Sequence, residues 1–204
     1  MHSRPLREAD ADPDPLVQFR RWFEEAAAAG VRLPEAMALA TATADGSPSV
    51  RMVLMKGCDR DGFRFFTNHE SRKGAELAEN PRGALLFYWD PLGRQVRIEG
   101  PISRLDEAAT AAYVRSRPRA SQLSALASPQ SRPIASREQL EGRVAELAAQ
   151  LGERAELPVP SFWGGYLLAP VSYEFWQNRD DRLHDRLLYS RTEDGRWRIQ
   201  RLAP

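Results

Sequence analysis

The order of strand-like and helix-like segments is the sequence feature that most constrains the fold. Residues 37–68 contain three short apolar runs, which are separated by Asp-Gly pairs at 45–46 and 61–62. Short apolar runs divided by Asp-Gly are typical of antiparallel strands joined by tight turns. Further strand-like runs lie at 84–89, 94–105, 166–177, 185–191 and 196–202. Most helical patterns lie between the strand-like runs that end at 105 and those that begin at 166, instead of following every strand. This order predicts an α+β fold, an antiparallel β-barrel with flanking helices.

Helix-like segments flank the predicted strands. The apolar spacing over 15–29 predicts a helix with Asp14 as its N-cap. A second helix is expected near 71–79. The region 106–151 reads as three helices, with one of the breaks at Pro118.

The domain organisation follows from length and from the lack of internal boundaries. A chain of 204 residues is long enough to bury a core. Residues 1–13 are charged and contain Pro, so we expect them to form a mobile arm. No repeat or long linker divides the remainder, so we expect residues 14–204 to form a single domain.

Composition excludes several classes of function. The 29 basic and 28 acidic residues give a net charge of +1, which argues against a nucleic-acid binder. No apolar run is long enough for a membrane span, and the first residues do not resemble a secretory signal, so we expect no membrane association and a cytoplasmic location. Cys58 is the only cysteine, and His2, His69 and His184 lack ligand spacing, so we expect no metal site.

Lysine is rare in this chain. It occurs only at Lys56 and Lys73, so the other 27 basic residues are arginines. A lysine ammonium is a compact point charge on a flexible stem, unlike the planar guanidinium of arginine. The two lysines are therefore candidate functional positions, although chance survival on the surface explains them equally well.

The strand-like segment 49–56 is apolar on both faces and carries two charges. Alternation places Arg51 with Val53 on one face and Lys56 with Met52 on the other. We expect such a strand to be covered on both sides, which leaves each cation in need of an anionic partner or water. Two anion contacts are one interpretation, and side chains that reach solvent at the barrel ends are the other.

The segment 67–80 predicts an anion site at a helix start. Ser71 is the expected N-cap, which places Arg72 and Lys73 in the first helical turn, where cations oppose the helix dipole. A bound phosphate would explain this unfavourable placement, and Thr67 would add a hydroxyl. The alternative is a pair of ordinary exposed charges.

The segment 182–186 gathers further basic groups. In an extended conformation Arg182, His184 and Arg186 share one face, where they repel one another unless an anion or electron-rich ligand lies over them. A solvated hairpin balanced by nearby aspartates is the alternative. The arginine cluster at 115–121, which follows Tyr113, is a weak signal on its own in an arginine-rich chain.

Nine segments, in this order and spacing, resemble the pyridoxamine 5′-phosphate oxidase family. They are RMVLMK (51–56), FFTN with SRKG (65–74), RQV (94–96), YVRSRPRASQ (113–122), SPQS (128–131), PSFWGGY (160–166), EFWQ (174–177), RLHDR (182–186) and RLAP (201–204). The resemblance extends from about residue 14 to the C-terminus. It implies a homodimeric FMN-binding split barrel with a C-terminal dimerisation region and with FMN at the subunit interface.

The activity that the resemblance implies belongs to vitamin B6 metabolism. Pyridoxamine or pyridoxine 5′-phosphate would be oxidised to pyridoxal 5′-phosphate, with hydride passing from substrate C4′ to flavin N5. O2 would then reoxidise the flavin and yield H2O2. A related flavin or deazaflavin reductase and a non-catalytic FMN or pyridoxal phosphate carrier remain alternatives.

The same motifs assign residues to the implied site. The FMN positions would be Arg51, Met52, Val53, Leu54, Met55, Lys56, Phe66, Thr67, Arg72, Lys73, Gln95, Gln130, Ser131, Trp176 and Arg186. The substrate positions would be Lys56, Tyr113, Arg117, Ser121, Arg182, Leu183 and His184, with Arg182 and His184 in the catalytic role of covering and orienting C4′.

The sequence departs from the family pattern at three places. Phe66 stands where some members carry Tyr, the N-terminal arm is short, and residues 178–181 differ from the Gly-containing stretch of some relatives. The last difference affects the loop that would present Arg182.

Overall fold

A computed structural model describes residues 5–152 and 156–204 of the chain. The α-helices of these residues are α1 (Pro15–Ala28), α2 (Arg72–Glu79), α3 (Glu107–Ser116), α4 (Arg119–Ala127) and α5 (Arg137–Leu151). The strands are β1 (Ala36–Ala42), β2 (Pro48–Leu54), β3 (Gly57–Asp59), β4 (Gly62–Asn68), β5 (Arg82–Trp89), β6 (Arg94–Arg104), β7 (Trp163–Leu168), β8 (Ser172–Gln177), β9 (Asp185–Arg191) and β10 (Trp197–Arg201). Within this part of the chain, no helix is long and apolar enough to cross a membrane.

The strands form an antiparallel sheet that curls into a split barrel. β1 pairs with β2 and β5, β5 pairs with β6, β6 pairs with β7, and β7 pairs with β4. The barrel closes between β2 and β4 through a short contact. There β3 pairs with β4, and the Lys56 N–H donates to Arg64 O at 2.8 Å. The predicted α+β antiparallel barrel with flanking helices is confirmed.

β6 is the strand on which the sheet branches. Its first half, Arg94–Glu99, pairs with β8, and its end, Ile102–Arg104, pairs with β7 along the same edge. The sequence predicts one continuous strand over 166–177, and this prediction is wrong. β7 ends at Leu168, and after Ala169 and Pro170 the chain begins β8 at Ser172, which pairs with the other stretch of β6. β9 and β10 then extend the sheet beyond β8.

The core is aromatic and lies between the barrel and α1. The fully buried ring of Phe19 lies edge-on to Phe63 and Phe87, with centroid distances of 4.9 Å and 5.0 Å. α1 begins where predicted because the Asp14 carboxylate accepts the Leu16 N–H at 2.8 Å.

One face of β2 is open in this chain. Val50, Met52 and Leu54 are 68%, 65% and 37% exposed, and Lys56 continues the same side. The expectation that this strand is covered on both faces is therefore wrong for the single chain, because the barrel interior covers only the face that carries Val53. An open apolar row of this kind is typical of a surface that another chain covers.

The described part of the N-terminal arm lies against the domain. Leu6 is buried, its N–H donates to Asp185 Oδ2 at 3.1 Å, and Arg201 binds both Leu6 O and the Glu8 carboxylate. Residues 1–4 of the predicted arm lie outside the described residues. These contacts attach Leu6 and Glu8 to the start of β9 and the end of β10, and the mobility of the arm stays a prediction.

Candidate functional site

Lys73 is the centre of a buried polar group that we call the lysine cluster: Lys73, Thr67, Ser71 and Gln130. The Lys73 ammonium donates to Thr67 Oγ1 at 2.9 Å, Ser71 Oγ at 3.0 Å and Gln130 Oε1 at 2.7 Å. The residue is only 8% exposed. Burial and the nearby Arg51 charge lower the pKa of Lys73 to about 8, and Glu76 opposes this shift. All three acceptors are uncharged, so the cluster holds a cation that an added anion would stabilise.

The start of α2 creates the lysine cluster. Ser71 Oγ accepts the Gly74 N–H at 3.3 Å, so the predicted N-cap is confirmed, and Arg72 and Lys73 lie in the first turn. A Cβ on Gly74 would lie 2.1 Å from His69 O, so only glycine allows this approach. Arg72 points outward, with a side chain that is 64% exposed.

A buried carboxylate, Glu76, lies beside these cations. Its side chain is 3% exposed and binds Arg51 Nη2 at 3.1 Å and Arg72 Nε at 2.8 Å. It also accepts hydrogen bonds from the hydroxyl groups of Ser49 and Thr41. Burial raises the pKa of Glu76, but these hydrogen bonds outweigh burial and lower it to about 2. Sequence reasoning missed Glu76, although its position four residues after Arg72 is the spacing of a helical ion pair.

Two of the predicted substrate residues, Arg117 at the end of α3 and Ser121 on α4, line a second feature, a cavity of about 280 Å³. Arg117, Ser121 and Gln130 line it together with Trp163. The Arg117 guanidinium lies 4.6 Å from the Trp163 ring centroid. Its Nη1 atom is buried and finds no hydrogen-bond partner among the described residues. An unpaired buried donor of this kind is costly, and an anionic ligand would satisfy it.

Tyr113 and Phe66, which are not among the residues that line this cavity, stack on each other. Their ring centroids are 3.8 Å apart and their planes differ by 17°. A Cβ on Gly165 would lie 2.7 Å from Phe66 Cε1, so this glycine leaves room for the ring. Burial raises the pKa of the Tyr113 hydroxyl, although Arg117 opposes the shift, so the phenol remains a hydrogen-bond donor at neutral pH.

A third group, the tryptophan cluster, consists of Gln95, Trp176, His184 and Arg186. Trp176 pairs with Gln95 across β6 and β8 and with Arg186 across β8 and β9. The His184 ring centroid lies 4.6 Å from that of Trp176. Arg186 Nε donates to Glu174, whose side chain is 3% exposed, at 2.8 Å. Its Nη1 donates to Ala203 O at 2.8 Å, which ties the C-terminal segment to the cluster.

The segment 182–184 is not extended, so the prediction of one shared face over Arg182, His184 and Arg186 is wrong. β9 begins only at Asp185, because the Arg182 N–H donates to Arg179 O and the Leu183 N–H to Asp181 Oδ1, which closes a turn. His184 Nδ1 accepts the Arg179 N–H at 3.1 Å. Its other ring nitrogen, Nε2, therefore carries the proton of the neutral ring.

Backbone strain falls on two of the predicted site residues. Among the described residues other than glycine, Ser131 (φ 71°) and Arg182 (φ 62°) have positive φ. Such conformations cost energy in L-residues and are frequent at functional sites. Both residues are exposed, as is Leu183.

The site residues fall into two groups on this chain. The lysine cluster, the Glu76 carboxylate with its partners and the cavity take residues from β1, β2, β4, β7, α2, α4, α5 and the segments before and after α4. The tryptophan cluster takes its residues from β6, β8, the turn before β9 and β9 itself. Within residues 5–152 and 156–204, no hydrogen bond or ion pair joins the lysine and tryptophan clusters. Met52, Leu54 and Lys56 lie apart from both, on the open face of β2. Arg51 and Val53 point to the opposite side.

Comparisons with known proteins identify the family to which the chain is similar. Residues 23–151 match the family described as pyridoxamine 5′-phosphate oxidase, and residues 163–204 match its C-terminal dimerisation region. The pyridoxine/pyridoxamine 5′-phosphate oxidase of Rubrobacter xylanophilus is 57% identical over 199 residues, which cover 98% of this chain and 91% of that protein.

Solved structures share the fold. PhzG from Burkholderia lata, determined in complex with tetrahydrophenazine-1-carboxylic acid, is 36% identical with a TM-score of 0.92, and the match covers all of both chains. An FMN-binding protein from Nostoc punctiforme, related to pyridoxamine 5′-phosphate oxidase, is 22% identical with a TM-score of 0.72 and covers 91% of this chain and 97% of its own. The fold, the matched family and the relative that matches nearly the whole chain lead to one conclusion: this chain belongs to the pyridoxamine 5′-phosphate oxidase family.

Proposed function

We propose that this chain is an FMN-dependent oxidase that converts pyridoxamine 5′-phosphate and pyridoxine 5′-phosphate to pyridoxal 5′-phosphate. The observation that carries the proposal is the unpartnered buried Nη1 of Arg117, in a cavity that Ser121 also lines. A guanidinium beside hydroxyl donors is suited to a phosphate ester. The name of the Rubrobacter xylanophilus relative supports the same substrates.

The residues of the lysine cluster fit the phosphate of FMN. Lys73, Arg51 and Arg72 surround the single carboxylate of Glu76, so the group carries a net charge of about +2, which balances a phosphate monoester that is mostly doubly ionised at neutral pH. We infer that Arg51, Thr67, Arg72 and Lys73 would hold this phosphate. The other FMN positions inferred from the motifs, among them Gln95 and Trp176, would hold the flavin ring.

We further propose a homodimer in which each FMN site takes residues from both chains. Two observations support this: the separation of the lysine and tryptophan clusters on one chain, and the open apolar row of β2. The match of residues 163–204 to a dimerisation region also supports it. FMN would then lie at the subunit interface.

Bound FMN supplies a two-electron acceptor at N5 for the hydride of substrate C4′, and O2 takes the two electrons onward as H2O2. The residues of this chain bind and orient the substrate. Lys56, Tyr113, Arg117 and Ser121 would hold its phosphate by charge and by hydroxyl donors. Arg182, Leu183 and His184 would cover the ring and fix C4′, with His184 Nε2–H as a donor. The pyridoxine ester loses its hydroxyl proton as the aldehyde forms, whereas the pyridoxamine ester takes up water and releases ammonia.

A second candidate function comes from PhzG. That structure contains a tricyclic carboxylic acid that bears no phosphate, and its chain matches this one over its full length. An oxidase for a non-phosphorylated carboxylic acid would therefore use the same fold. The higher identity to the Rubrobacter xylanophilus relative and the Arg117 cavity favour the B6 phosphates.

The test is turnover by the purified protein saturated with FMN in air. Pyridoxine 5′-phosphate should yield pyridoxal 5′-phosphate and H2O2 in equal amounts. Unphosphorylated pyridoxine is the matched control, and its kcat/KM should be lower by about 100-fold or more, because the phosphate contacts are lost. Turnover of tetrahydrophenazine-1-carboxylic acid without turnover of the pyridoxine ester would favour the second candidate. A fully flavinated protein that releases no H2O2 with any of these compounds would be a binding protein.

A further inference from the structure

We propose that Glu76 is a positioning residue of the flavin-phosphate site. Its buried carboxylate holds Arg51 and Arg72 in the orientation that receives the phosphate, and its negative charge reduces the repulsion among Arg51, Arg72 and Lys73. The inference rests on the proposed binding of FMN. It concerns a residue that does not itself contact the cofactor and that the family motifs quoted above did not single out.

The geometry of the carboxylate is the first observation. Oε1 accepts from Arg72 Nε, whereas Oε2 accepts from Arg51 Nη2, Ser49 Oγ and Thr41 Oγ1. One side chain therefore joins the first turn of α2 to β1 and β2. The bond to Arg72 uses Nε, and the Arg72 side chain is 64% exposed, so its guanidinium remains accessible to a ligand.

The charge balance is the second observation. Three cations lie close together at this end of the barrel, and the pKa of Lys73 is lowered partly by Arg51 and is raised by Glu76. Without an internal anion, the three cations would repel one another before any phosphate arrives. A single carboxylate that is 3% exposed holds them together and leaves an excess positive charge for the ligand.

A purely structural role is the competing explanation. Glu76 would then only fasten α2 to the barrel, and its loss would affect every ligand alike. A third possibility is competition, in which the carboxylate occupies guanidinium groups that the phosphate needs, so that its removal would tighten binding. The three explanations differ in their effect on FMN relative to riboflavin, which lacks the phosphate.

The pH profile separates charge from shape. The groups that face the Lys73 ammonium are the neutral Thr67, Ser71 and Gln130, with Arg51 from β2 and Glu76 from α2 as the charged neighbours. Replacing Glu76 by Gln removes the neighbour that raises the pKa of Lys73, so this pKa falls toward neutral pH. FMN binding then takes up a proton, and the dissociation constant should rise with pH between about 6.5 and 8, by at most tenfold per pH unit.

The experiment measures the dissociation constants of FMN and riboflavin by quenching of flavin fluorescence, using the full-length protein freed of flavin. For Glu76→Gln we expect the FMN constant to rise about tenfold or more at neutral pH, from the loss of charge-assisted hydrogen bonds, while the riboflavin constant stays within about twofold. Glu79→Gln, an exposed position on the same helix, is the matched control and should leave both constants unchanged. Glu76→Asp keeps the charge but shortens the reach, so it should weaken FMN binding and retain the pH profile of the unmodified chain.

The outcomes separate the explanations. Equal weakening of FMN and riboflavin would leave Glu76 a structural residue, tighter FMN binding by Glu76→Gln would make it a competitor, and unchanged FMN binding would show that it has no role in binding. Each of these results overturns the inference. If Glu76→Gln does not fold, the FMN-to-riboflavin ratio of Glu76→Asp decides in the same way. An unmodified chain that binds no FMN would instead refute the proposed function.

Discussion

The buried ammonium of Lys73 predicts an unusual dependence of stability on pH for the protein without FMN. The pKa of Lys73 in the folded chain is about 8, whereas the ordinary value is 10.5. Between these values the unfolded chain holds a proton that the folded chain has released, so the free energy of unfolding rises with pH in this window. The slope is about 1.4 kcal/mol per pH unit, which gives roughly 2 kcal/mol between about pH 8 and about pH 9.5. Below this window both states are protonated, and the folded state carries the full penalty.

The measurement compares the unmodified chain with Lys73→Met by urea unfolding in the absence of FMN. Methionine has a similar volume and no charge, but it leaves the three acceptors of the lysine cluster without their donor. The difference in unfolding free energy at any single pH therefore mixes two effects of similar size, about 1–3 kcal/mol each. The change of that difference with pH isolates the proton, and it should favour the unmodified chain as pH rises.

Saturating FMN should remove this pH dependence. A phosphate dianion beside Lys73 stabilises the ammonium and raises its pKa toward the unfolded value, so the slope across the same window should flatten. The reasoning would be refuted if the difference in unfolding free energy between the two proteins did not change with pH even in the absence of FMN. It would mean that Lys73 is not a buried cation whose charge a ligand stabilises.

Three further predictions follow from the site. Arg117→Met should lower kcat/KM for pyridoxine 5′-phosphate by about 100-fold, mainly through KM, because a charge-assisted bond to phosphate is lost. The control Arg115→Met, at an exposed position on α3, should leave kcat/KM unchanged, and steady-state kinetics measures both. Arg182→Gly should melt no lower than the unmodified chain, since glycine relieves about 1 kcal/mol of strain at φ 62°, while kcat falls at least about tenfold; a lower melting temperature would contradict the strain argument. Met52→Glu, on the open face of β2, should produce monomers that lose FMN, because a carboxylate would be buried at the interface. Light scattering measures the mass and absorbance measures the bound flavin, and a stable flavinated dimer would place the interface elsewhere.

Local sequence signals were sufficient for the elements that depend on local chemistry. Asp14 and Ser71 cap their helices through bonds to residues two and three positions away, and such contacts are readable from sequence. The division of the predicted strand at 166–177 was not readable. It depends on the distant strand β6, which offers two separate stretches of one edge to β7 and β8.

The candidate site was predictable as a set of residue types and not as a geometry. Gln130 meets Lys73 across 57 residues of chain, and Trp163 meets Arg117 from a different segment, so neither contact has a local signal. The turn at Arg182 was missed because alternation assumes an extended backbone. The aspartate and backbone groups just before Leu183 close a turn instead.

Three of the proposed site arginines, Arg51, Arg72 and Arg186, pair with a buried carboxylate, which most arginines of this arginine-rich chain do not. An exposed pair such as Arg196 and Asp194, with side chains 85% and 50% exposed, contributes little stability and does not fix an orientation. Burying a carboxylate is costly unless donors satisfy it. The Glu76 side chain is 3% exposed and accepts hydrogen bonds from four groups, among them Arg51 and Arg72, and these bonds fix both arginines in place.

Glu174 is likewise a buried carboxylate beside a site arginine, because its Oε1 accepts from Arg186 Nε in the tryptophan cluster at 2.8 Å. Its Oε2 forms an ion pair with Arg97 Nη2 at 2.8 Å but accepts no hydrogen bond among the described residues, so Glu174 is less fully satisfied than Glu76. Each half of the candidate site thus contains its own buried anion, which orders the cations of that half before a ligand or a second chain arrives. If the two halves of the site meet across a dimer, neither chain needs the other to orient its arginines, and the interface has only to bring two preformed halves together.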